Sequence, residues 1–327
     1  MTAISTAFGL VFDPTVLAVI MGSAIFGMFV GAMPGLTATL ATALLVPVTF
    51  FMAPVPALGA IVTATAMAIF AGDIPAAMLR MPGTPASAAY ADESYEMTKK
   101  GQLDLCMGVN LVFSVLGGIF GVIILIVLAP VLAEVAINFS SFEYFWLACL
   151  GLTCAVFIGT GDPLKGLLSL FIGLAIGCIG IDPAAGQPRF TFGNVDLLSG
   201  INFIPTLIGM FAVSELLRGA VTMEKGGHVI AQAVGSLMTG VGGVFKKYWF
   251  NFLRGSVIGT VIGALPGAGA DIAAWVSYAV SKKTSKEPEK FGTGHVEGIV
   301  ESGAANNSAL GGAWIPALVF GIPGDSI

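Results

Sequence analysis

Residues 104–137 form one apolar run of 34 positions, well beyond the roughly 20 that carry a helix across a bilayer. Comparable runs occupy 15–33, 36–52, 55–72, 142–159, 164–181, 203–217, 249–265, 268–281 and 296–321. Ordinary soluble domains are about a quarter charged. Here only 10% of 327 residues are charged and 56% are hydrophobic, with a mean hydropathy of +0.93. So much apolar surface needs lipid as its solvent, which predicts an all-α, polytopic membrane protein. The run at 104–137 exceeds one straight span, so a tilt or a break near Gly117-Gly118 is expected. Met1 to Thr15 lacks a basic n-region, and the first run lacks a small-residue cleavage site, so no cleavable signal is read there.

Polar connections fall at 86–102, 182–202, 218–248 and 282–295. Asp182-Pro183 and Gln187-Pro188 mark a turn-rich loop, and Lys282 to Lys290 reads as a solvated linker. Basic residues collect beside some connections and avoid others. Lys99, Lys100, Lys165, Arg218, Lys225, Lys246, Lys247, Arg254, Lys282, Lys283, Lys286 and Lys290 flank connections assigned to the cytoplasm. The loop 182–202 carries only Arg189 and is assigned to the opposite side, which puts the N-terminus outside. The four cysteines lie in apolar runs without disulfide or metal spacing. No phosphate-binding loop is present, so ATP hydrolysis is excluded, and no basic block points to nucleic acid.

One motif occurs twice. GMFVGAMPGLTATL (27–40) aligns without gaps to GTVIGALPGAGADI (259–272), and IPAAMLRMPGT (74–84) aligns to IPALVFGIPGD (315–325). The offsets, 232 and 241, are similar, which makes two homologous halves. On the charge assignment the first pair of runs enters and leaves from outside, whereas 249–281 is bracketed by cytoplasmic lysines. The halves are then inverted repeats, and Gly/Pro-interrupted segments at corresponding positions mark a midplane site. Proline removes an intrahelical bond and glycine permits an otherwise strained turn, which predicts discontinuous or re-entrant helices. A segment restarting after such a break offers free N–H groups and a positive dipole end to an anion.

The candidate substrate-binding residues are Pro34, Gly35, Leu36, Thr37 and Thr39, then Pro82, Gly83 and Thr84. In the second half they are Pro266, Gly267, Ala268 and Gly269, then Asn306, Asn307, Pro323 and Gly324. For each break the alternative is a structural kink. Asn306 and Asn307 either contact ligand or cation or bond across helices. Asp271 is a cation ligand or a helix cap, and Glu301 is a cation or proton site or an interfacial loop residue. Asp73 is an intramembrane acid, functional by default. Asp73, Asp271, Glu301, Asn306 and Asn307 are thus the ion-coupling candidates. Arg80 either clamps a carboxylate or snorkels to the interface. His295 and Glu297 read as surface groups, and the GxxxG spacings Gly27 to Gly31 and Gly259 to Gly263 as close helix packing.

These blocks resemble the large membrane subunit of the tripartite tricarboxylate transporters (TctA-type). The resemblance runs through GAMPGLTATLATALLVPVTF, MPGTPASAA, DPAAGQPRFTFG, IPTLIGMFAVSELL, GALPGAGADIAAWVSYAVSKK, FGTGHVEGI and AANNSALGGAWIPALVFGIPGD. It implies a carboxylate importer of the bacterial inner membrane, driven by co-transported Na+ or H+ and without a cofactor. It also implies two partners, a small membrane subunit (TctB-type) and a periplasmic binding protein (TctC-type). Members of the family are longer, so the expected division is a first repeat with connecting helices at 1–217, a cytoplasmic connection at 218–248, and an incomplete second repeat at 249–327. Asp73 and Arg80 depart from the family pattern, and its acid before the Ala-Asn-Asn run aligns with Gly303, two positions after Glu301. Two other functions remain as alternatives: a channel-like anion permease, or an intramembrane aspartyl protease using Asp73 and Asp271.

Overall fold

The computed structural model describes residues 2–33, 36–158, 163–182, 186–201, 206, 209, 213, 217, 235–266, 268–322 and 324–325. These are almost entirely helical. In chain order the helices are α1 (Thr2–Val11), α2 (Pro14–Gly31), α3 (Ala38–Thr49), α4 (Pro54–Ala71) and α5 (Asp73–Leu79). A 3-10 turn at Ser87–Tyr90 leads into α6 (Ala91–Lys99), followed by α7 (Leu103–Ala136), α8 (Ser141–Ile158) and α9 (Pro163–Gly177). The chain closes with α10 (Val241–Gly263), α11 (Gly269–Thr284) and α12 (Val296–Phe320). Between α9 and α10, Gly180–Ile181 (β1) pairs antiparallel with Pro188–Arg189 (β2) in the loop where turns were expected. Among the described residues, three helical stretches are long and apolar enough to cross a membrane: Pro14–Gly31, Pro54–Leu79 and Leu103–Glu134. Most of the expected span 203–217 and most of the connection 218–248 lie outside the described residues.

Three sequence expectations need correction. Of the tilt or break expected near Gly117-Gly118, the break is absent, since α7 runs unbroken past those glycines. Those glycines serve packing instead, since a Cβ at Gly117 would lie 2.3 Å from the Ala304 carbonyl oxygen of α12. The stretch 86–102, expected only as a polar connection, forms the 3-10 turn and α6, with Ser87, Tyr90, Glu93, Ser94 and Met97 buried. His295 and Glu297 are not surface groups. Glu297 is buried and accepts hydrogen bonds from Asn251, Ser285 and His295.

Close glycine contacts hold the helices together, as the GxxxG spacings predict. A Cβ at Gly27 or Gly31 of α2 would lie 2.2 Å from the carbonyl oxygen of Ala64 or Ala68 in α4. A Cβ at Gly259 or Gly263 of α10 would lie 2.2 Å from that of Ala305 or Ala309 in α12. The second set stands 232 positions after Gly27 and Gly31, and 241 after Ala64 and Ala68, the offsets of the sequence blocks. Backbone detail follows the same offset. Arg80 and Gly321 both take left-handed conformations, with φ 57° and 68°. The next residues, Met81 and Ile322, each donate to a proline carbonyl, Pro75 and Pro316, at 3.3 Å.

Candidate functional site

The two helices that carry the first motif, α2 and α10, end in the same way. Ala32 and Ala264 close α2 and α10 with φ/ψ of −74/−11° and −73/−11°. Leu36 N–H then donates to Met33 O, and Ala268 N–H to Leu265 O, both at 3.1 Å. Pro34, Gly35, Gly267 and Pro323 lie outside the described residues. The N–H groups after the first break are partly engaged: Leu36 N–H is bonded, and Thr37 is the N-cap of α3, its hydroxyl accepting from Leu40 N–H at 3.2 Å. α11 lacks a cap of its own. Asp325, which follows the fourth Pro-Gly, supplies one by accepting from Ala270 N–H at 2.8 Å. A carboxylate at a helix start satisfies a free donor and complements the dipole.

The described residues beside these positions pack together. Gly83 donates to Gly72 O at 3.0 Å, and a Cβ on Gly83 would lie 2.6 Å from Gly31 O, so the Pro82-Gly83 turn sits against the end of α2. Thr84 is buried there, in a turn closed by reciprocal bonds with Ser87. From α11, Asp271 accepts from Ala86 N–H at 3.0 Å, and Trp275 donates its indole N–H to Pro85 O at 3.1 Å. Asp271, near the start of α11, therefore caps the 84–87 turn. Ala38 at the start of α3 and Ala270 and Ala273 at the start of α11 share one buried cluster with Val30, Ala68 and Ala309. Beside it a cavity of about 140 Å³ opens between α4 and α12, lined by Thr65, Leu310, Trp314, Gly324 and Asp325 among others. The Thr65 hydroxyl is 3.0 Å from that of Thr42 on α3. Thr39, Pro266 and Gly269 lie on the same segments as Thr37, Ala268 and Asp271.

The remaining candidates separate. Glu301 is fully buried in α12, not in a loop, and Arg254 of α10 grips it through Nε and Nη2, with Asn251 donating to it as well. Asn306 and Asn307, adjacent in sequence, face different surroundings. Asn306 lies beside Tyr90 in the core and its amide makes no hydrogen bond of ordinary geometry. Asn307 reaches an apolar groove between α4, α7 and α12. Asp73 is 1% exposed, with one oxygen accepting from the Tyr90 hydroxyl at 2.8 Å. Arg80 pairs with Asp92 at 2.7 Å, both side chains largely exposed, and touches no other candidate.

Two acids escaped the sequence reading. Asp325 follows a quoted Pro-Gly directly, a signal that was present. Glu93 is fully buried and binds the loop before α12, accepting from the backbone N–H of Gly292, Gly294 and His295 and from the Tyr278 hydroxyl. Nothing near Glu93 in sequence announces that role, because its donors lie about 200 residues away. Outside the membrane-spanning helices, Lys290 beside Glu287 holds that carboxyl below its ordinary value.

Comparison with known proteins adds the last observations. A family model described as "Tripartite tricarboxylate transporter TctA family" matches residues 17–327. A relative from Agrobacterium vitis, "Uncharacterized 52.8 kDa protein in TAR-I ttuC' 3'region", is 33% identical over 299 residues, covering 91% of this chain. The chain spans 59% of that relative's length. No solved structure matches. The matched family is one of transporter subunits, not enzymes, in keeping with helices apolar enough to cross a membrane. Over nearly its whole length, the chain belongs to the tripartite tricarboxylate transporter TctA family.

Proposed function

We propose that this chain forms the large membrane subunit of a secondary importer for di- or tricarboxylates. In this reading it is a multi-pass protein of the bacterial inner membrane and works with a TctB-type membrane subunit and a TctC-type periplasmic binding protein. One observation carries the reading: the starts of α3 and α11 share a buried cluster, and the Pro82-Gly83 turn of one half is tied to Asp271 of the other. Four interrupted segments at one point are what a midplane site of two inverted repeats requires. The recurrent glycine contacts support the repeat, and the lysine placement supports the inversion. Impermeant labelling of a cysteine placed at Gly186 reads the orientation, and labelling from the cytoplasmic side alone refutes it. The division at 1–217, 218–248 and 249–327 follows from the same reading.

The halves differ in chemistry, which suits co-transport. The first offers hydroxyls at Thr37, Thr39, Thr42, Thr65 and Thr84; the second offers Asp271 and Asp325. Moving an anion inward against the membrane potential costs about 2.3 kcal/mol per charge per 100 mV, so cations must accompany it. The hydroxyls and the N–H groups after the breaks receive carboxylates, and the acids hold a cation, Na+ or H+, that makes an anion beside them tolerable. No cofactor is needed. Glu301 leaves the ion-coupling set because Arg254 already neutralises it. A channel would need a continuous polar path, whereas the described convergence is packed with alanine. The test is uptake of labelled di- and tricarboxylates into vesicles holding the full-length protein and both partners. Accumulation that saturates and needs the binding protein is the expected result. Equilibration without accumulation supports a channel instead.

A further inference from the structure

Asp73 lies outside the convergence of the breaks yet is joined to it. It is 1% exposed at the start of α5. Its Oδ1 accepts from the Tyr90 hydroxyl, and its Oδ2 has no hydrogen-bond partner. Among the described residues, the groups facing it are neutral on every packed element. They are Tyr90 from the 3-10 turn, Cys106 from α7 with Ser94 of α6 beside it, and Asn306 of α12 next to Tyr90. The charged groups of α6 are engaged elsewhere: Asp92 with Arg80, Glu93 with the 292–295 loop, and Glu96 with Lys99. α4 contributes no titratable residue. Leaving a buried carboxylate without a cationic partner costs several kcal/mol, and such a group neutralises itself by taking a proton.

A metal cation fits these surroundings poorly. Tyr90 turns its hydrogen, not a lone pair, toward Asp73, and a thiol is a soft ligand ill suited to Na+. We infer that Asp73 is a proton-binding site whose occupancy is transmitted to the candidate substrate site through the segment 82–90. That segment is held at two points. Ala86 N–H is bonded to Asp271 of the second half, and Tyr90 to Asp73 of the first. Gly72, next to Asp73, also accepts from Gly83 in the same segment. The step is a plain proton exchange: the carboxylic O–H bond forms with a proton taken from water on one side and breaks to water on the other, with no change of electron count. When the proton leaves, the bond from Tyr90 becomes charge-assisted and about twice as strong, drawing the segment toward Asp73. When the proton returns, that hold relaxes.

This rests on the carrier reading above, so the test has an arm independent of transport. Infrared difference spectra of the full-length protein in vesicles, recorded as pH is raised, should show a buried carboxylic-acid carbonyl band that bleaches. Asp73→Asn should lack it, and Tyr90→Phe should keep it at a shifted frequency. In uptake at fixed sodium, the wild type should change by roughly tenfold per pH unit beyond its midpoint, and Asp73→Asn should be flat. A band that survives in Asp73→Asn overturns the inference, as does an Asp73→Asn profile that keeps the wild-type pH dependence or loses only its sodium dependence. If the wild type takes up none of the carboxylates, the carrier reading fails, and the infrared titration still decides Asp73.

Discussion

Arg254 and Glu301 show how little a single residue says about its own role. Arg254 reads as a marker of a cytoplasmic connection and Glu301 as a cation or proton site or an interfacial loop residue, yet they meet as an ion pair whose carboxylate is fully buried. Nothing in either position signals the other, because the pairing comes from α10 packing on α12. Removing one member of such a pair strands a charge and costs about 3–5 kcal/mol, whereas replacing both with apolar groups is often neutral. Arg254→Ala should therefore lower the unfolding temperature in detergent markedly, and Arg254→Met with Glu301→Leu should restore much of it. A loss within about 0.5 kcal/mol for Arg254→Ala would show that the pair is exposed to water.

At the scale of elements, legibility tracked chemistry that acts locally. GxxxG marked where α2 and α10 approach their neighbours, because it acts on backbone within a few residues. α6 was missed because its composition is that of a loop. Its burial depends on Glu93 meeting donors from the 291–295 loop, a long-range event that no window of sequence contains. Gly117-Gly118 reads as a place for a tilt or a break, but in α7 Gly117 makes room for α12. The repeat contacts predict matched energetics. Gly27→Ala and Gly259→Ala should each cost about 1–3 kcal/mol, since a Cβ would overlap a backbone carbonyl. Gly22→Ala has open space and should instead stabilise α2 by about 0.5–1 kcal/mol. Thermal unfolding of the three variants checks this, and equal effects at Gly22 and Gly27 would refute the close packing.

Over the whole molecule, the family and the helical membrane character were legible from ordered blocks and composition. How the 82–87 turn meets α11 was not, because it depends on bonds such as Ala86 to Asp271 that join residues 185 positions apart. The central claim is that this meeting point holds the cation that drives carboxylate uptake. Its most direct test is uptake by Asp271→Asn, which keeps an oxygen able to accept from Ala86 while losing the charge. The account predicts a folded protein whose uptake falls roughly tenfold at limiting sodium or proton concentration, the factor that about 1.4 kcal/mol of lost cation affinity produces. Undiminished uptake with the same dependence on the ion gradient would contradict it and leave Asp271 as a cap for the 82–87 turn.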